Sequence, residues 1–282
     1  MLGERRQSSG TYSTRSESSE GGENKSRCHN RIHLFDCPMD NLSMAETLCR
    51  VEEFVRSGRP HQHVVINVDK LVKFHRDPAL AEAIESCHLI SVDGQPIVWA
   101  SRLLGKPIKE RVAGIDLMDE VIRLSASRGY GVFFLGAREH VVRRTCKLYC
   151  ERLPELRVCG MRNGYWTPEE EESIVQGIRD SGADILFVAI SSPKKELFLG
   201  KHLGELSVPF VMGVGGSFDV VAGLRKRAPR WMQKCSLEWF YRFCQEPRRM
   251  WRRYFVDDLA FAGLVLREVI RTIKRDGSQE RR

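Results

Sequence analysis

The sequence predicts an α/β fold, a Rossmann-like and mostly parallel sheet with helices on both faces, followed by a helical, basic C-terminal appendage. Three observations carry this. Short β-branched runs alternate with longer helical ones along most of the chain, the pattern of β-α-β units. A length of 282 residues at 42% hydrophobic content offers ample surface to bury in one large domain, or a domain plus an appendage. The net charge of +8 is unevenly placed: residues 1–222 hold 29 basic and 30 acidic side chains, whereas 223–282 hold 16 and 7.

Residues 1–30 carry seven Ser, four Gly and almost no large apolar side chains. Such a composition does not offset its own ordering entropy and predicts a disordered tail. Residues 31–222 read as the α/β domain. A helical stretch from Leu42 to Arg56 ends at Ser57-Gly58-Arg59-Pro60, and the run His63 to Val68 follows as a strand. Further strands are predicted at Leu89–Val92, Gly131–Leu135, Leu156–Cys159, Asp184–Ile190 and Pro209–Val214. The intervening helices fall at Gln95–Leu104, Ile115–Arg128, Glu139–Arg152, Pro168–Asp180, Pro193–Leu206 and Ser217–Ala222. Residues 223–282 form the appendage.

Several classes are excluded. The longest apolar run, Leu259 to Leu266, has eight residues, far short of the roughly 18 to 20 that span a bilayer. Glu4, Arg5 and Arg6 are not followed by an apolar core, which argues against a secretory signal. Nine cysteines without a C-x-x-C pair resemble reduced cytosolic thiols rather than a disulfide frame or zinc cage. Cys146 and Cys150, one helical turn apart, read as core or helix-face residues.

In open α/β sheets ligands sit beyond the carboxyl ends of the strands, so the residues just after each strand are the candidates. Gly213-Val214-Gly215-Gly216 lets a phosphate approach backbone N–H groups at a helix start, or serves only as a turn needing positive φ. Ser192-Pro193-Lys194-Lys195 joins a capping hydroxyl, a first-turn proline and two cations; a plain helix cap explains it as well. Asp93, between an apolar strand and a Gly-Gln-Pro turn, stands where a general base is useful, and where a helix N-cap is too. Arg111 and Asp116 flank another turn as a structural ion pair or cap. No D-x-D triplet and no H-E-x-x-H occurs, so neither the usual metal–nucleotide clamp nor a zinc protease site is available.

The basic tail interleaves arginines with aromatics. Trp251, Phe255, Leu259, Ala262, Leu266, Ile270 and Ile273 recur at helical spacing as one apolar stripe. A helix in the headgroup zone of an anionic membrane fits this pattern. So does a helix packed on the main domain, and, less well, one that binds nucleic acid; the membrane surface is taken forward and nucleic acid is not.

Taken together, these segments resemble the WecG/TagA/CpsF glycosyltransferases, glycosyltransferase family 26. The resemblance rests on Asn67-Val68-Asp69, Asp93-Gly94-Gln95-Pro96, Leu104-Gly105-Lys106-Pro107, Arg111-Val112-Ala113-Gly114-Ile115-Asp116, Phe134-Leu135-Gly136-Ala137, Asn163-Gly164-Tyr165, Ser192-Pro193-Lys194, Gly213 to Asp219, Arg227-Ala228-Pro229-Arg230-Trp231-Met232 and Leu237-Glu238-Trp239 with Glu246-Pro247-Arg248-Arg249. These stretches run in order from about residue 32 to 255.

The resemblance implies an inverting, metal-independent transferase without a cofactor. It would move an N-acetylmannosamine-type sugar, uronic acid or hexose from a UDP-sugar to a sugar on polyprenyl diphosphate, at the cytoplasmic face of the membrane, in bacterial surface polysaccharide or teichoic acid synthesis. It makes Asp93 the general base and Asn67 a further catalytic residue, and gives the nucleotide to Gly136, Ser192, Lys194, Gly213, Gly215, Gly216 and Asp219. Arg227, Arg230 and Arg242 would stabilise the departing diphosphate in place of a metal. Three positions depart from the family pattern: Val65 replaces a common Thr, Ser191 a Gly, and Lys195 a Gln, which bears on donor preference. A homo-oligomer is compatible with the sequence. The competing class is a non-enzymatic nucleotide-binding module with a basic tail; an NAD-dependent oxidoreductase lacks its full glycine fingerprint.

Overall fold

The computed structural model describes residues 30–229, 231–232, 237–245, 247 and 258–279. The predicted disordered tail, Asn30 apart, lies outside these residues, as do Arg230, Trp251 and Phe255.

A hairpin comes first, β1 (Arg31–Leu34) paired antiparallel with β2 (Cys37–Asp40). Its two-residue turn, Phe35-Asp36, has positive φ at both positions, as a type I′ turn requires. The chain then alternates α1 (Met44–Ser57), β3 (His61–Ile66), α2 (Val68–Phe74), α3 (Pro78–Glu85), β4 (Leu89–Val92), α4 (Gln95–Leu103), α5 (Gly114–Arg128), β5 (Gly131–Gly136), α6 (Glu139–Arg152), β6 (Arg157–Arg162), α7 (Glu171–Asp180), β7 (Ile185–Ala189), α8 (Lys194–Leu206), β8 (Phe210–Gly213) and α9 (Ser217–Val221). Strands β3 to β8 form one parallel sheet in the order β4-β3-β8-β7-β5-β6.

Local chemistry sets the element ends. Ser43 and Glu46 form a reciprocal capping box at the start of α1, and Gly58 ends it in the left-handed region at φ 66°. Strands β5, β7 and β8 are buried along their whole length, because a parallel sheet is covered on both faces. One face packs Val51, Val121, Phe134, Phe187, Phe210 and Phe218 beneath α1, α5, α6 and α9. The other carries two patches, Leu71, Ile84 and Ile97 under α2 to α4, and Val175, Leu199 and Val211 under α7 and α8.

The neighbours β3 and β8 send their chains to opposite faces, β3 into α2 and β8 into α9. Their carboxyl ends therefore open a crevice, the place where such folds bind ligands. Two boundaries differ from the sequence reading here. Strand β3 stops at Ile66, and Asn67 instead caps α2, its side chain accepting from the Lys70 N–H at 2.9 Å. Helix α8 starts at Lys194 without a hydroxyl cap; the Lys195 N–H is taken by the Ser191 carbonyl at 3.1 Å, which leaves Ser192 free to face elsewhere.

After residue 222 the chain forms α10 (Glu238–Gln245) and α11 (Asp258–Gln279). Helix α11 returns to the α2 side of the sheet. There Phe261 is buried edge-on to Phe35 at 5.5 Å, Leu264, Val265 and Val269 pack beside it, and Arg271 bonds Asp36 at 3.0 Å. The stripe read from the sequence is the opposite side of this helix: Leu259, Leu266 and Ile273 are 73%, 62% and 66% exposed. Helix α11 is thus docked by one face and exposed on the other. Among the described residues no helix is long and apolar enough to cross a membrane.

Candidate active site

The crevice holds two joined compartments. The deeper, of about 290 Å3, lies between Val65, Asp93, Gly114, the turn Gly213–Ser217 and Arg227, Glu238 and Gln245 from the C-terminal segment. The wider, of about 920 Å3, is walled by Ala137, Tyr165, Trp166, Ser192, Lys194 and Asp219. They meet at Asn67, Lys70, Lys195, Gly215, Gly216 and Arg225. Among residues after 222, Arg225, Lys226, Arg227, Glu238 and Gln245 line the deeper compartment.

Asp93 follows β4 and lies in the deeper compartment. The bland alternative, an N-cap on α4, is not what forms: the cap position is Gly94 and has no side-chain bond. Arg111 donates to Asp93 Oδ1 at 3.1 Å and the Gly114 N–H to Oδ2 at 3.4 Å. These donors come from the loop ahead of α5 and from its first residue, so one segment fixes the carboxylate at the cavity wall. Arg111 and Asp116 bind elsewhere rather than each other. Arg111 reaches Asp93 and, at 3.8 Å, Glu238; Asp116 takes both terminal nitrogens of Arg227, at 2.5 and 2.7 Å.

Arg227 is therefore already neutralised, by Asp116 and by Glu238 at 3.9 Å. Its Nε is buried without a hydrogen-bond partner among the described residues. The backbone of Arg242 lies in α10, its side chain outside the described residues, as is all of Arg230.

The glycines divide by role. Gly215, at φ 53°, makes the turn, and nothing lies within 4 Å of where its Cβ would point. Gly213 instead makes room for a side chain: a Cβ there would meet Lys195 Cε at 2.5 Å. Gly136 sits behind the cleft. At φ 122° its absent Cβ lets the end of β7 approach, Ala189 C lying 2.5 Å from that point, and it is the neighbouring Ala137 that lines the wide compartment. Lys194 stacks over the Trp166 ring at 5.1 Å, a contact that orients the cation. Ser192 Oγ is buried without a partner among the described residues.

Sequence reasoning missed the group at the junction. Lys70 Nζ and Lys195 Nζ both reach Oε1 of the fully buried Glu196, at 2.8 and 3.3 Å. Burial pushes the Lys195 ammonium down, to about 8, and Lys70 adds to the effect while Glu196 opposes it. Burial disfavours ionised Glu196, yet the two lysines outweigh it and hold the carboxyl well below its usual range. His63, buried beneath, is pushed down to about 3 by burial and then by both lysines. Lys195 was read as one of two cations at a helix start and as a departure from the family pattern, without its buried partners. The signal for Lys70 is a lysine one turn beyond the Asn67 cap, beside Leu71 on the face that packs into the core. Among the described residues no group of three or more His, Cys, Asp or Glu side chains converges as a metal site.

Two comparisons bear on identity. The chain is 34% identical over 178 residues, 63% of its own length and 68% of the relative's, to an N-acetylglucosaminyldiphosphoundecaprenol N-acetyl-beta-D-mannosaminyltransferase of Bacillus spizizenii. The model of the glycosyl transferase WecG/TagA/CpsF family matches residues 32–275, from the hairpin into α11, so the span includes the sheet, both compartments and most of the returning helix. The chain belongs to the WecG/TagA/CpsF family and is a glycosyltransferase.

Proposed function

We propose that this glycosyltransferase moves a sugar from a UDP-sugar onto a sugar carried by polyprenyl diphosphate, with inversion at the anomeric carbon and without a metal ion. The observation that carries the reading is that the Asp93 carboxylate and several cations, Lys70, Lys195, Lys226 and Arg227, line the same 290 Å3 compartment, whose other carboxylate, Glu238, is held by Arg111 and Arg227. A single displacement needs those two parts. Asp93 takes the proton of the acceptor hydroxyl as its oxygen bonds to the anomeric carbon. The bond from that carbon to the diphosphate breaks in the same step, and UDP leaves with the electron pair. Cations aimed at the diphosphate oxygens stabilise that charge, with Arg230 and Arg242 assigned to the same task.

Asn67, at the junction, orients the acceptor, and the open floor at Gly215 and Gly216 admits the nucleotide backbone-close. The relative's name joins an N-acetylmannosaminyl donor group to a lipid-diphosphate-linked N-acetylglucosamine, and a substrate pair of that class is the one assigned here. Such an acceptor is tethered to lipid, which suits the exposed Leu259, Leu266, Ile270 and Ile273 on α11 as a membrane-facing strip. The test is incubation with UDP-sugars and a short-chain prenyl-diphosphate sugar, with and without EDTA. Transfer that persists with EDTA is expected; transfer abolished by EDTA and restored by a divalent cation overturns the metal-free step.

A further inference from the structure

Most charges around the deeper compartment are matched. Asp93 pairs with Arg111, Glu238 with Arg111 and Arg227, and Asp116 with Arg227. Lys226 is exposed, so solvent screens it. The junction is different. Two ammonium groups, Lys195 being 5% and Lys70 7% exposed, share one oxygen of one carboxylate. The other oxygen, Glu196 Oε2, is buried without a hydrogen-bond partner among the described residues. The titratable groups facing the pair from other elements add no negative charge: His63 on β3 is held neutral, and the Cys87 thiol ahead of β4 is pushed up to about 12 by burial. One positive charge is left over in a site that excludes most water, which is costly unless an anion arrives. An ammonium has three donors; Glu196 accepts one from Lys70 at 2.8 Å and pairs with Lys195 at 3.3 Å.

We infer that Lys70 and Lys195, braced by Glu196, form a seat for one oxyanion of the nucleotide-sugar donor at the junction of the two compartments. Gly213 belongs to this device, since only a residue without a Cβ leaves the Lys195 stem its path over β8. The oxyanion is either the diphosphate or a carboxylate on the sugar, the chemistry being the same. The inference deepens the UDP-sugar reading and rests on it for the identity of the ligand, not for the existence of the seat.

The test is calorimetric titration of the full chain, and of its Lys195→Gln and Lys70→Met variants, with inorganic pyrophosphate, UDP, a neutral UDP-hexose and a UDP-hexuronic acid. Each variant keeps an unbranched stem one atom shorter than lysine and removes its charge. Losing a charge-assisted hydrogen bond is expected to weaken binding about tenfold or more. If pyrophosphate, UDP and both UDP-sugars weaken together, the oxyanion is the diphosphate; if only the UDP-hexuronic acid weakens, it is the sugar carboxylate. Wild-type binding near pH 8 is also expected to take up a proton at Lys195, read as a heat that differs between Tris and HEPES, and lost in Lys195→Gln. That signature separates ligand contact from a merely structural role. UDP-sugars that bind all proteins equally, without proton uptake, overturn the seat and leave the donor reading standing. Lysine-dependent pyrophosphate binding with no affinity for any UDP compound keeps the seat and overturns the donor reading.

Discussion

Replacing Glu196 with Gln removes the one anion shared by two buried cations while keeping shape. At an effective dielectric near 20, contacts of 2.8 and 3.3 Å correspond to about 5 to 6 kcal/mol of gross attraction each, most of it offset by desolvation. The net loss has a ceiling set by chemistry: a lysine stripped of its partner can shed its proton. At pH 7, from an unfolded value near 10.4, that costs about 5 kcal/mol. The usual cost of orphaning one side of a buried pair, about 3 to 5 kcal/mol, falls under that ceiling. At about 2 to 4 °C per kcal/mol for a chain of this size, the melting temperature falls by roughly 6 to 20 °C. The sign with pH follows. Lys195 has a lower folded than unfolded value, so the unfolded state holds more protons and stability gains as pH rises from about 8 toward 10.5. The Glu196→Gln deficit therefore shrinks toward pH 9. Lys195→Gln removes the surplus cation and is expected to cost less than about 1 kcal/mol, or to stabilise. Urea unfolding of both variants at pH 7 and 9 reads these quantities. A Glu196→Gln loss below about 1 kcal/mol at pH 7, or a Lys195→Gln loss equal to it, refutes the reasoning.

Asp93→Asn is expected to lower kcat about 10²- to 10⁴-fold with little change in melting, because its pair with Arg111 is part-exposed and such pairs add at most about 1 kcal/mol; steady-state kinetics beside calorimetry would show a purely structural role as a matched loss of both. Leu266→Glu with Ile273→Glu, both on the exposed side of α11, should leave folding intact while weakening binding to anionic vesicles by about tenfold or more; unchanged sedimentation with vesicles removes the membrane role from this strip. His63, with its folded value depressed to about 3 by burial, contributes stability that is present above its unfolded value near 6.5 and lost as pH falls from there toward 3; His63→Gln should flatten that limb of the pH–stability curve, and an unflattened limb assigns it to another group.

The parallel sheet was legible because its buried strands are short apolar runs set between amphipathic helices. The hairpin β1–β2 was not. Its turn is Phe35-Asp36 rather than Asn-Gly, and Phe35 tolerates positive φ because its ring is buried against Phe261, some 226 positions away in sequence. Helices α2 and α3, at seven and eight residues, are too short for periodicity to separate from a loop. At the site, Asp93, Ser192, Lys194, Gly215, Gly216 and Asp219 were read from positions just past strand ends and Asn67 from the family resemblance alone, and the fold does bring them to one cleft. The close approach of Ala189 to Gly136 and of Lys195 to Gly213 was not legible, since a glycine kept for packing looks in sequence like one kept for phosphate. The Lys70–Glu196–Lys195 cluster joins residues 126 apart, and no local pattern announces that.

The central claim, sugar transfer between a UDP donor and a lipid-diphosphate acceptor at this cleft, is tested most directly by one product analysis. The full chain is incubated with UDP-N-acetylmannosamine and a prenyl-diphosphate N-acetylglucosamine, and the lipid product is characterised by mass spectrometry and anomeric NMR. The expected result is a lipid-linked disaccharide one N-acetylhexosamine heavier, its new linkage inverted relative to the donor, and absent with Asp93→Asn. A product of retained configuration, or no lipid-linked product from this or any other UDP-sugar, contradicts the account.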